Sequence, residues 1–577
     1  MEQRWGLPLI AWPSRLRPNA WDLVALPLVL GVLALVAWGG MAMGAHYQIG
    51  ESLPISLDPL RLPEYALRTV LRMGAALVAS LVFSLVYAAV AAKSRQAEKI
   101  LIPVLDVLQS VPILGFLSIT VTGFIALFPG RLLGVECAAI FAIFTSQAWN
   151  MTFSLYQSLR TVPTELIEAA RMYHLSAWQR FWRLEVPHGV PALVWNMMMS
   201  VSGGWFFVVA SEAITVSSQT IMLPGIGSYI ATAIDQRNLA AIGYAVLVML
   251  VVILLYDQLL FRPLLAWSRK FVGDPGDEDY ARPWFLIVLQ RARLFDLVQS
   301  GVLALNRAVD YGIGAVLRAA PAPRPASRHS TLFEHLFDMA LLALAGAGLV
   351  WIVLFIQASV TLPEIGWAFV LGLITALRVL VLIAIASLIW VPIGVWIGLR
   401  PRIADRAQPI VQFLAAFPAN LFFPVAVVLI LRYRVNPEIW LSPLMILGTQ
   451  WYILFNVIGG TMGLSAELQL AASNLGVRRL LWWRRVMLPA IFPAYVTGAV
   501  TAAGGAWNAS IVSEVVQWGD TTLRATGIGA YIARWTAEGD AARIALGIGV
   551  LCLYVLAFNR LLWRRLYNLA AERLRLD

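Results

Sequence analysis

The chain has 577 residues, of which 60% are hydrophobic and only 13% charged, with a formal net charge of +11. Apolar content of that order excludes a single soluble core and points to a polytopic membrane protein. The basic excess reads as membrane topology plus attraction to anionic lipid rather than nucleic acid binding, and Cys137 and Cys552, both in apolar surroundings, suggest neither a disulfide framework nor a metal site.

In chain order, the first uncharged run, residues 23–45, is long enough to cross roughly 30 Å of hydrocarbon as a helix. Arg4, Arg15 and Arg17 precede it and no small-residue cleavage pattern follows, so it is expected to be a span rather than a removed leader. Spans are expected near residues 22–43, 66–91, 101–127, 134–157, 188–211 and 239–261, and again near 337–357, 366–397, 409–431, 439–457, 489–513 and 542–560. Pro103, Pro112, Pro409 and Pro418 make the third and ninth the least regular. Placing both termini in the cytoplasm puts Lys93, Arg95, Lys99, Arg171, Arg180, Arg183, Arg400, Arg402, Arg406, Arg478, Arg479, Arg484 and Arg485 on the inner side, as the positive-inside rule requires. The expected fold is therefore all-α and polytopic, about twelve transmembrane helices in a plasma membrane.

The two sets of spans are copies of one another. A shift of 302 places Glu165 on Glu467, Ala169 and Ala170 on Ala471 and Ala472, Pro187 on Pro489, Trp205 on Trp507, Glu212 on Glu514 and Gly225-Ile226-Gly227 on Gly527-Ile528-Gly529; upstream, a shift of 306 places Arg72 on Arg378. Six spans is an even number, so the copies are expected to be parallel repeats about an axis along the membrane normal, enclosing a central path. The expected domains are residues 1–261 and 335–577, joined by a cytoplasmic linker, 262–334, with one or two interfacial helices and a Pro/Ala/Arg stretch.

Within each copy one segment is charged where the rest is oily: TELIEAARMYHLSAWQRFWRLEVP, 164–187, and AELQLAASNLGVRRLLWWRRVMLP, 466–489. Glu165, Glu168, Ala169 and Ala170 in the first, and Glu467, Ala471 and Ala472 in the second, suit a short helix whose small side chains permit close approach. Such a rod can transmit force from a two-fold-symmetric partner; an amphipathic connector lying in the interface is the alternative.

At these residues the chain resembles the membrane permeases of binding-protein-dependent ABC importers, whose signature is Glu-Ala-Ala, three residues, Gly, and a Pro thirteen residues beyond. SLIWVPIGVWIGLRPRIADRAQPIVQFLAAFPANLFFPV and GTQWYILFNVIGG look most like the branch importing nitrate, sulfonates, taurine or bicarbonate. The resemblance implies type I importer architecture with two permease domains fused in one chain. It also implies two copies of a cytoplasmic ATP-binding subunit carrying ATP and Mg, and a periplasmic or lipid-anchored solute-binding protein. His174 stands where the first motif expects the Gly that Gly476 supplies in the second, and Leu470 where the second expects Glu. Histidine adopts the bend at greater cost, so the two turns are expected to differ in geometry and charge.

No lysine ends a glycine run, so ATP hydrolysis must come from a partner. Arg72 and Arg378 offer positive potential to an anion or snorkel to headgroups. Gln109, Gln147, Asn150, Asn196, Gln450, Asn456 and Asn508 are candidates to line the path or to bond between helices. Glu212 and Glu514 read as a salt bridge or helix cap before solute contact. A parallel-repeat secondary transporter, an exporter, or a permease for another small solute are the alternatives; a membrane enzyme lacks a cluster among His46, His174, His188, His329 and His335.

Overall fold

The structure, a computed structural model, describes residues 22–47, 53–111, 113–216, 219–271, 284–291, 331–464 and 466–573. The Pro/Ala/Arg stretch and most of the 262–334 linker lie outside these residues, as does Pro112; within the linker, the helix Trp284–Arg291 has 8 residues, about a third of a span.

Among the described residues, eight helices are long and apolar enough to cross a membrane: Leu26–Met43, Pro59–Lys93, Ala177–Ser211, Leu239–Phe271, His335–Gln357, Leu362–Gly398, Arg479–Ser513 and Ala541–Leu566. Counting two bent pairs as one span each, Pro401–Ala416 with Ala419–Tyr433 and Pro437–Met445 with Gln450–Met462, gives ten. Among the described residues eight to ten helices thus meet the length and apolarity of a span, where twelve were expected. The expected third span is split into helices Arg95–Ser110 and Ile113–Leu127. The fourth is present as a 28-residue helix, Leu133–Arg160, but Glu136, Gln147 and Asn150 dilute its apolar run below that of the others. The all-α class also gains two β hairpins, β1 (Ala213–Val216) with β2 (Gln219–Met222) and β3 (Val515–Trp518) with β4 (Thr521–Arg524). Their registers, Ala213↔Met222 and Val515↔Arg524, are related by the same shift of 302 that relates the sequences.

The described chain forms two compact units. The first gathers Met1–Met43, Ser154–Trp195 and Leu255–Phe333, the second Gly44–Phe153, Asn196–Leu254 and Glu334–Asp577. In the first, helix Val186–Ser211 starts close against the end of Leu133–Arg160: a Cβ on Gly189 would sit 2.8 Å from Leu155 Cδ1 and would have to displace that side chain. The second contains residues of both sequence copies. Helices Leu362–Gly398, Gln450–Met462 and Leu488–Ser513 pack against each other there around Val395, Ile453, Val457, Ile491 and Ala499. Gly394, Gly398 and Gly498 let the backbones approach, each hypothetical Cβ falling within 2.6–2.8 Å of a neighbouring helix. Helix His335–Gln357, by contrast, buries none of its apolar window, as a segment bathed in lipid tails can.

Candidate functional site

Each charged handle folds as a short helix, a reversing turn, and a second helix that widens into a span. The first is Thr164–Met172, the second Ala466–Asn474. Glu165, Glu168 and Glu467 are exposed, whereas Ala170 and Ala472 are buried, so the acids face away from the surface on which the helix is seated. The turn is the same in both. His174 N donates to Arg171 O and Leu175 N to Ala170 O; Gly476 N donates to Ser473 O and Val477 N to Ala472 O. This pair of bonds satisfies the last carbonyls of the helix and requires a left-handed residue at its centre. His174 accordingly has φ +54° and Gly476 φ +67°. The expected difference in turn geometry is therefore corrected: the hydrogen bonds impose the bend on histidine, at roughly 1–2 kcal/mol of local strain. Tyr173 and Leu475, at matched positions before the bend, are 81% and 80% exposed and project as apolar knobs.

The copies diverge after the turn. Ser176 accepts from Gln179 N while Gln179 Oε1 accepts from Ser176 N, a reciprocal cap on the first. At the same place in the second stand Arg478, whose side chain makes no capping bond, and Arg479, itself left-handed at φ +51°. Both then pass through a π-helical turn, residues 181–185 and 483–487, in which Val186 N and Leu488 N donate five residues back, to Phe181 O and Trp483 O. The wider turn makes room ahead of Pro187 and Pro489, whose rings cannot continue an ordinary α-helical ladder.

At the far end of the 26-residue helix Leu488–Ser513, about 39 Å away at 1.5 Å per residue, the chain builds an ionic triad, and the first copy builds its equivalent. Arg72 Nε and Nη2 donate to the two oxygens of Glu136 at 2.6 and 2.7 Å, and Nη1 donates to Glu212 at 2.7 Å. Glu212 also accepts from Thr69 Oγ1 and from Gly227 N, both at 2.7 Å, at the start of helix Ile226–Asp235. In the second copy Arg378 donates to Glu438 and Glu514, and Glu514 accepts from Thr375 Oγ1 and from Ala530 N near the start of helix Ile528–Glu538. Ile226 N and Ile528 N close each network by donating to the threonine. A Cβ on Gly225 or Gly527 would fall 2.3 or 2.2 Å from the glutamate carboxylate, so these glycines are needed for close approach. The first triad is sealed, with Arg72, Glu136 and Glu212 at most 2% exposed, whereas Glu438 is 41% exposed and bonds Thr526 as well.

Of the residues expected near a path, Gln109 Nε2 donates to Asn150 Oδ1 at 3.0 Å. Asn508 Oδ1 accepts from Ile113 N, Gln450 Oε1 from Trp390 Nε1, and Asn456 Nδ2 donates to Tyr452 O within its own helix. Asn196 is half-buried on helix Val186–Ser211, and Gln147 lies buried with its Nε2 3.0 Å from Met73 Sδ. Arg72 and Arg378 do not meet each other; each belongs to its own triad. Sequence reasoning missed Glu136 and Glu438, although the shift of 302 relates them, and an acid inside a long helix was the available signal. It also missed Gln412 and Asn420 of the second copy, which bond Met198 Sδ and Phe206 O on a long helix of the first.

The chain is similar in sequence to several known proteins. The chain is 24% identical over 139 residues to the bicarbonate transport system permease protein CmpB of Synechocystis sp., covering 24% of this chain and 46% of that protein. It is 26% identical over 157 residues to the nitrate import permease protein NrtB of Leptolyngbya laminosa (27% of this chain, 51% of that one). It is 27% identical over 232 residues to the glycine betaine/proline betaine transport system permease protein ProW of Escherichia coli (40% and 60%). The chain thus spans about half the length of the curated relatives it matches. The family model for the binding-protein-dependent transport system inner membrane component matches twice, at residues 71–261 and 390–567; each match contains one handle, the first also the whole Arg72 triad and the second Glu438 and Glu514 but not Arg378. With more than half of its residues so matched, the chain belongs to that family, the non-catalytic inner-membrane permease subunits of ABC transporters.

Proposed function

We propose that the chain carries two fused permease domains and by itself forms the solute path of an ATP-driven importer. The observation that supports this most directly is the double family match, with a handle of the same capped geometry in each half. In this reading Glu165, Glu168, Ala169, Ala170 and His174, with Glu467, Ala471, Ala472 and Gly476, engage two copies of a cytoplasmic ATP-binding subunit that binds ATP and Mg. A solute-binding protein delivers cargo on the other side. Tyr173 and Leu475 supply the apolar centre of each contact and the exposed acids its charged rim.

The solute is proposed to be a small anion. Support comes from sequence similarity to relatives named for bicarbonate and nitrate, while a relative named for glycine betaine makes a zwitterion the competing outcome. Arg72 and Arg378 lend the anion no support, because pairs of glutamates already neutralise them. Their proposed role is to hold the hairpin and the helix that follows it against the spans. Gln109, Asn150, Asn196, Gln450, Asn456 and Asn508 remain proposed lining residues.

The test is retention of the ATP-binding subunit on purified permease, with solute-stimulated hydrolysis in vesicles. The Glu165→Arg/Glu467→Arg double variant should lose both while keeping its expression, because both acids lie on exposed helices. Unchanged retention would return the handles to interfacial connectors. Uptake of nitrate, bicarbonate, a sulfonate and glycine betaine, measured side by side, decides the cargo.

A further inference from the structure

The two copies differ systematically in how they treat positive charge at the handle end of their spans. In the first, Arg180 Nε is 3.0 Å from Glu185 and Arg262 Nε is 3.0 Å from Asp257, so these two arginines are neutralised locally. The shift of 302 replaces both acids with uncharged residues, Met487 for Glu185 and Asn559 for Asp257, and replaces Ser176, Ala177 and Trp182 with Arg478, Arg479 and Arg484. From Leu468 to Ser513 the second copy contains no acid at all. Arg478, Arg479, Arg484 and Arg485 are exposed, and among the described residues none has an ion-pair partner. Helix Arg564–Arg573, which packs against helix Leu488–Ser513, adds exposed Arg564 and Arg565.

The same stretch is apolar where it is not basic. Leu480 and Leu481 are 80% and 53% exposed between the two arginine pairs, while Trp482 and Trp483 stack edge to face at 5.6 Å and pack inward. The segment opens a helix that goes on as an apolar span, Arg479–Ser513, so it lies where hydrocarbon gives way to headgroups. Leucines that enter the acyl boundary beside arginines that stay at the phosphates are the arrangement of an interfacial anchor, and each such arginine gains from a negatively charged leaflet.

We infer that the handle end of the second copy, from Arg478 to Arg485 with Arg564 and Arg565, is a seat for anionic phospholipid headgroups, and that the first copy has none. The acids missing from the second copy identify the partner's charge: an unpaired guanidinium cluster favours phosphate, and the exposed leucines favour a phosphate that carries acyl chains. The inference rests on membrane insertion alone and not on which solute is carried.

The experiment uses the full chain without any ATP-binding subunit, purified in mild detergent and given equal amounts of phosphatidylglycerol and phosphatidylcholine, with retained lipid counted by native mass spectrometry. Wild type should retain phosphatidylglycerol at least tenfold over phosphatidylcholine. The R484Q/R485Q/R564Q/R565Q variant should lose that preference at least fivefold, and N559D, which restores an acid at an exposed position, should lower it without removing any arginine. First-copy R180Q/R262Q should not lower it. Equal retention of the two lipids by wild type, or an unchanged preference in the quadruple variant that still folds, would overturn the proposal. If the arginines instead dock a protein, the quadruple variant keeps its lipid preference but, in a separate assay with the ATP-binding subunit added, fails to retain that subunit, which also counts against the proposal. Loss of solute uptake with lipid preference intact would concern the importer reading and leave this one standing.

Discussion

Arg237 of the first copy reaches Asp520 of the second: Nη2 donates to Oδ2 at 2.9 Å, directly beside Gly519, whose N donates to Ile234 O at 3.0 Å. Arg237 holds a left-handed φ of +55° at the end of helix Ile226–Asp235, where the matched residue of the second copy is Gly539 at φ +79°. A Cβ on Gly519 would lie 2.2 Å from Arg237 Nε. The ion pair is open to solvent, with Asp520 fully exposed, so water screens it and the backbone bond and the tight fit dominate. Gly519→Ala should therefore destabilise the protein, and the penalty should shrink by about 0.5–3 kcal/mol in an Arg237→Gly background. Thermal unfolding of the two single variants and the double variant in nanodiscs measures the coupling; strict additivity would show that the side chain is not what crowds Gly519.

The triads make an asymmetric prediction about stability. Replacing Glu136 by Gln leaves Arg72 buried with half its partners, for which about 3–5 kcal/mol is the expected scale. Glu438 is partly exposed, so water can replace it beside Arg378, and Glu438→Gln should cost clearly less. Apparent melting temperatures of the two variants should separate by several degrees; equal losses would mean that the openness of the second triad has no energetic consequence.

His174 carries strain that Gly476 does not. His174→Gly should stabilise the first handle by about 1 kcal/mol, and Gly476→His should weaken the second by a similar amount, since the hydrogen bonds enforcing the bend are the same. Hydrogen exchange at Leu175 and Val477, whose amides close the two turns, reads the effect locally.

Sidedness is tested by two single cysteines at opposite ends of helix Leu488–Ser513, in a functional background lacking Cys137 and Cys552. Thr522→Cys, on the β3–β4 hairpin, should react with an impermeant reagent added to intact cells, and Ser473→Cys, on the second handle, should not. The reverse pattern would invert the orientation drawn from the arginines.

How much of this was legible beforehand follows from the range of each interaction. The apolar runs, the 302-residue duplication, the handles and their terminal prolines are written in local composition and in self-similarity, which need no knowledge of packing. Among the described residues fewer helices meet the length and apolarity of a span than the twelve expected, because Glu136, Gln147 and Asn150 dilute one apolar run and other runs break at sharp bends that hydropathy does not register. The turn at His174 was misjudged because residue preference disfavours the bend, while the bonds to Ala170 and Arg171 enforce it.

The sequence by itself determined that this is a duplicated membrane protein with a charged helix in each half. Tertiary structure alone decided what Arg72 and Arg378 do. A lone arginine within a span has the same appearance whether it waits for an anion or is already neutralised. Its partners, Glu136 and Glu212 in one copy and Glu438 and Glu514 in the other, lie 60 to 140 residues away in sequence and are brought to it only when the helices pack. Desolvation then makes the pairing obligatory, because a buried guanidinium without a carboxylate would cost more than the fold can supply.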